Sequence, residues 1–78
     1  MGRAQTRGGI RVRSDLLRAE MAAKRMSQRE VADKSQISRS AFCAKINEQR
    51  PFDVDEAVRI CDVLSIVDGE KRALIFLS

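Results

Sequence analysis

Two helix starts set close together constrain this chain more than any other feature. In the stretch SQREVADKSQISRSAFCAKIN, Ser27 is followed three residues later by Glu30. That is the pattern of a capping box, in which the hydroxyl takes one orphan N–H and the carboxylate returns to the cap residue's own N–H. Ser38 reads as the cap of a further helix, so the helix between them holds only about seven residues, Gln28 to Lys34. A helix that short is unstable alone and has to be held by packing. Val31 and Ala32 are its inward candidates. The small Ala32 lets the next helix cross close above it, and Ile37 plugs the angle between the two. In that next helix Phe42 and Ile46 are four apart and face inward together. Lys45 beside them is expected to snorkel, laying its stem on apolar surface with its ammonium in water. KSQIS is therefore expected to be a tight turn and not a loop, although it contains no glycine.

From Ser14 onward the whole pattern is helical. Ser14 precedes DLLRAEMAAK, with Asp15 in the first turn and Leu17 and Met21 four apart, so a first helix capped by Ser14 is expected. Asp53 with Glu56 makes a second paired cap, for VDEAVRICDVL, whose Val54, Ala57, Cys61 and Leu64 share one stripe. A last segment begins near Asp68 and ends in Ala73 to Leu77, and Pro51 marks the one long break. No run alternates with period two over a strand's length, which argues against a sheet. The expected fold is all-α, with five helices in residues 14–78. Residues 1–13, MGRAQTRGGIRVR, have no period that would bury a face and read as a flexible basic arm.

Charge divides unevenly along the 78 residues. Residues 1–13 carry four arginines and no acid; residues 14–50 carry 8 basic and 5 acidic side chains; residues 51–78 carry 3 and 6. The net +4 of the chain is thus the balance of +4, +3 and −3, with all the positive excess in the first two-thirds. Such a distribution suits a polyanion, because cations that neutralise phosphates release condensed counterions. Cys43 and Cys61 are far apart and there is no His, which excludes the usual zinc spacings and a disulfide framework. Reduced thiols in a cytoplasmic protein are expected. No apolar run approaches the roughly 20 residues needed to cross a bilayer, and no signal peptide follows the basic start. The chain also lacks a carboxylate-pair pocket pattern and a Gly-rich phosphate loop, so neither an enzyme nor a cofactor or metal is expected.

With Phe42 and Ile46 inward, Ser40, Cys43, Ala44 and Asn47 fall on the opposite side of their helix, and Arg39 reaches round from its first turn. Small or short polar residues let a backbone approach a groove, and an Arg at the leading end can pair bidentately with guanine O6 and N7. Gln28 places an amide at the start of the preceding helix, near where a phosphate would lie.

These residues also carry a resemblance. SQREVADKSQISRSAFCAKIN resembles the helix-turn-helix of the phage repressor and Cro superfamily, the XRE family, at Gln28, Val31, Ala32, Ile37, Ser38, Ser40 and Phe42. INEQRPFDVDEAVRICDVLSI is similar to the family's common continuation, so the resemblance spans Ser14 to about Ile66. It implies a compact lambda-repressor-like domain that reads duplex DNA with the helix starting near Ser38. It further implies that Gln28 and Asn47 touch phosphates and that Arg39, Ser40, Cys43 and Ala44 face base edges. Lys45 and Arg50 are then phosphate candidates by reach, and Ser38, at the start of the reading helix, belongs to the same expected DNA-contacting set. Three departures stand out: Gln36 replaces the usual turn glycine, Ser35 an apolar residue, and Glu48 a second common glycine. Gln36 costs strain if φ is positive there. Ser35 leaves the end of the second helix less buried than usual, and Glu48 sets an acid near the phosphates.

The expected function is that of a small repressor or regulator of phage or mobile-element type, with double-stranded DNA as partner and no small-molecule ligand. The consecutive Leu74, Ile75, Phe76 and Leu77 exceed one helical stripe, so part of them is expected in the core and part in a homodimer contact. The alternative is a helical protein-interaction module, such as the antitoxin-like half of a regulatory pair.

Overall fold

A computed structural model describes residues 10–77. Five helices carry most of them: α1 (Ser14–Ala23), α2 (Gln28–Lys34), α3 (Arg39–Ile46), α4 (Val54–Val63) and α5 (Gly69–Ile75). The chain is mostly helical, and three of the expected caps form. Ser27 and Asp53 both complete capping boxes, with Glu30 and Glu56 respectively, while the Ser38 hydroxyl accepts from the Ala41 N–H. Asp68 caps α5 in the same way, through the N–H of Glu70.

Two expectations fail at the N-terminal end. Arg11–Val12 form a short strand, β1, which pairs antiparallel with β2 (Phe76–Leu77), and Ile10 bridges to Phe52. Ile10 and Val12 are buried in the core, so the arm expected over residues 1–13 does not include residues 10–13. Residues 1–9 of it lie outside the described residues. The two-stranded ribbon also adds a small sheet to a fold expected to have none. Its physical effect reaches α1, because the Arg13 N–H donates to the Ile75 carbonyl at 2.7 Å and holds Arg13 extended. Arg13 therefore takes the N-cap position, and Ser14, expected there, becomes the first helical residue. Its hydroxyl lies instead between the Ile46 carbonyl oxygen and Glu48 Oε2, with one proton for the two acceptors.

The core is continuous from Ile10 to Phe76. Leu17, Val31, Ala32, Phe42, Ile46, Phe52, Ile60, Leu64 and Ile75 are almost wholly enclosed. Phe52 sits between Phe42 and Phe76, edge-on to both, with ring centroids 6.0 and 5.6 Å away, the arrangement aromatic quadrupoles favour. Ile75 and Phe76 belong to this core and Leu74 is exposed. On α4 the buried stripe runs through Ala57, Ile60, Cys61 and Leu64; Val54, expected on it, is exposed.

Helices α1 to α4 all end in the same way. Arg25, Gln36, Glu48 and Ser65 take positive φ between 56° and 65°. At each end the next N–H reaches back five residues, Met26 to Met21, Ile37 to Ala32, Gln49 to Ala44 and Ile66 to Cys61, at 2.8–2.9 Å. These are Schellman endings. Each left-handed non-glycine residue costs about 1 kcal/mol, offset where the residue after it, Ile37 or Ile66, is buried. Gln36 thus adopts the left-handed conformation that the missing glycine leaves to it.

Candidate nucleic-acid interface

The turn between α2 and α3 is fixed from below. Ile37 is buried as expected. Ser35, expected to be less buried, is fully enclosed, and its hydroxyl oxygen has no hydrogen-bond partner. A serine side chain is short enough to enter the core here, and a buried hydroxyl without a partner costs free energy. Arg59 of α4 donates Nε to the Ser35 carbonyl at 2.7 Å, placing a cation at the negative end of α2. This contact, which joins residues far apart in sequence, left no mark in the pattern.

Helix α3 has two faces of opposite character. Phe42 and Ile46 point inward, and so does Lys45: its Nζ lies 2.7 Å from both carboxylate oxygens of Glu56, with the two side chains only 11% and 12% exposed. Lys45 is therefore not a snorkelling phosphate candidate. Its position three residues after Phe42 turns it under the helix, where the α4 capping carboxylate takes its charge. Glu56 Oε1 also accepts the Asp53 N–H at 3.0 Å, so the ion pair ties α3 to the start of α4.

On the outer face Ser38, Arg39, Ser40, Cys43 and Asn47 are exposed, and Ala44 is half-buried at its edge. Arg39 reaches back to Asp33 of α2 at 3.4 Å, both side chains more than half exposed. Such a pair is worth no more than about 1 kcal/mol and is easily exchanged. Cys43 and Cys61 are free thiols, the first exposed and the second buried, and burial pushes the Cys61 thiol up. Gln28 stands half-exposed at the first position of α2, the helix that packs against both α3 and α4. Arg50 lines a cleft of about 220 Å³ together with Arg11, Glu48 and Pro51.

Sequence reasoning missed Arg18. It projects from the exposed side of α1 and its Nη2 donates to Asn47 Oδ1 at 2.7 Å. The spacing of Leu17 and Met21 leaves Arg18 outside the buried stripe, but nothing in sequence marks its partner on α3. Elsewhere cations serve the fold: Lys24 donates to the Leu64 carbonyl and Arg72 to that of Ile66, both at 2.6 Å, at the C-terminal end of α4.

A second groove, of about 360 Å³, is lined mainly by apolar side chains, among them Val54 and Val58 of α4, Ala73 of α5 and Phe76 of β2. Among the described residues no group of His, Cys, Asp or Glu could hold a metal ion, and no helix is long and apolar enough to cross a membrane. No family model, curated protein or solved structure matches the chain.

Proposed function

We propose that the chain is a sequence-specific duplex-DNA-binding protein with a lambda-repressor-like domain of the XRE type, acting as a small transcriptional regulator. The observation that carries this reading is the two-faced α3. It is held by Phe42, Lys45 and Ile46 while Arg39, Ser40, Cys43 and Asn47 stay exposed beside a tight turn. Enclosure on one side fixes the helix as a rigid body; short side chains on the other admit it to a major groove about 12 Å wide. In this reading Arg39 and Ser40 meet base edges, Cys43 and Ala44 follow along the helix, and Gln28, Asn47 and Arg50 meet phosphates. Lys45 has no part in it.

Selection of bound duplexes from a random pool tests the proposal. It predicts enrichment of a defined site, palindromic if two copies bind together. An unenriched pool, or no duplex binding at about 50 mM salt, where phosphate attraction is strong, contradicts it. The second reading, a module that binds protein, is favoured by the exposed Val54, Val58 and Leu74 and the apolar groove beside the first two. The same surface suits a homodimer of the DNA-binding form, and sedimentation of the protein with and without duplex separates the two.

A further inference from the structure

The Arg18–Asn47 contact does more than join two helices. An asparagine amide has an oxygen that only accepts and an NH₂ that only donates, and either can face a given neighbour. Arginine has donors alone, so Arg18 can hold only the oxygen. That choice turns the Asn47 Nδ2 away, where it lies 3.4 Å from Cys43 Sγ and donates one hydrogen to this weak acceptor. The second N–H and most of the Arg18 guanidinium donors remain, on two side chains that are both exposed. An acceptor-only anion is the ligand this arrangement fits.

The surroundings agree in charge. Arg11 and Arg50 line the cleft beside this end of α3, and the nearby acid, Glu48, stands 3.0 Å from the Ser14 hydroxyl. Arg11 is fixed there because the alternation of β1 buries Ile10 and Val12 and leaves Arg11 exposed between them. Two cations thus share this cleft with one acid, while Asp15, three residues before Arg18 on α1, is paired with Arg13 at 3.4 Å.

We propose that Arg18 and Asn47 form a clamp for a backbone phosphate of duplex DNA, with Arg18 both supplying the cation and setting the Asn47 amide with its donors outward. The clamp rests on the duplex-binding reading given above. It adds to the interface a residue of α1, so that the first helix fixes the reading helix's register on the duplex.

Three variants test it by binding to one selected duplex and one scrambled duplex across a salt series, with thermal unfolding measured alongside. Arg18→Gln retains an amide donor for Asn47 but no charge. It is expected to lower the slope of log affinity against log salt by about 0.9 and to weaken both duplexes about tenfold at 0.1 M salt. Arg18→Lys is expected to restore most of the slope. Asn47→Asp offers Arg18 a carboxylate, keeps the unfolding midpoint and loses more affinity than Arg18→Gln, because it sets a negative charge against the phosphate. If the wild-type slope is steep and Arg18→Gln leaves it unchanged, the clamp is wrong and the duplex-binding reading stands. If Arg18→Gln and Arg18→Lys lose affinity equally and both unfold at lower temperature, the contact is a structural tie only. If the wild-type protein shows no salt-dependent duplex binding, the reading on which the clamp rests falls as well.

Discussion

The two faces of α3 differ in how firmly their charges are held. Inside, Lys45 meets both oxygens of Glu56 at 2.7 Å, next to Phe42 and Ile46. Outside, Arg39 touches Asp33 at 3.4 Å in open solvent. The inner ion pair has lost most of its water, so removing one partner leaves a stranded charge. The outer one keeps its water and gives up little when it opens. One short helix can therefore be fixed by one stripe of its surface while the opposite stripe stays available to a partner.

That contrast can be broken by substitution, and the largest effect belongs inside. Phe42→Ala removes the ring that packs edge-on to Phe52 and is expected to cost about 3–5 kcal/mol in urea unfolding. Lys45→Ala strands the Glu56 carboxylate and is expected to cost about 3 kcal/mol, with much of the loss recovered when Glu56→Gln is added. If Lys45→Ala were neutral, the inner pair would be no more than a surface contact. Gln36→Gly relieves a left-handed residue at φ 62° and is expected to raise stability by about 1 kcal/mol. A loss on this change would mean that the Gln36 side chain holds the turn. Arg39→Ala is expected to leave stability within about 0.5 kcal/mol of the wild-type value while changing the preferred base at one position of a selected duplex. A uniform loss over all sequences would remove Arg39 from base reading.

Much of this arrangement is legible in the sequence because helix starts are written in local chemistry. Ser27 with Glu30, and Asp53 with Glu56, need only residues three apart. The inward pair Phe42 and Ile46 follows from helical spacing in the same way. Helix ends were harder to read, since Arg25, Gln36, Glu48 and Ser65 occupy positions where glycine is the usual marker. The apolar residue after three of them, Met26, Ile37 and Ile66, is the remaining signal. Features built from distant partners were not legible at all. Ile10-Arg11-Val12 is too short an alternation to announce a strand, and its partner Phe76–Leu77 lies at the other end of the chain. Lys45 reads as a surface cation in local sequence because the carboxylate that receives it is eleven residues away, on another helix. Arg18 carries no local mark for the same reason, its contact with Asn47 crossing from α1 to the C-terminal end of α3.

The central claim, that the outer face of α3 meets duplex DNA, is tested most directly by following backbone amide resonances while a selected duplex is added. The account predicts that the largest shifts fall at Ser38–Ser40, Cys43 and Asn47, with smaller ones at Gln28 and Arg18, and that helices α4 and α5 move little. Shifts concentrated at Val54, Val58 and Leu74, with the outer face of α3 unchanged, would contradict it.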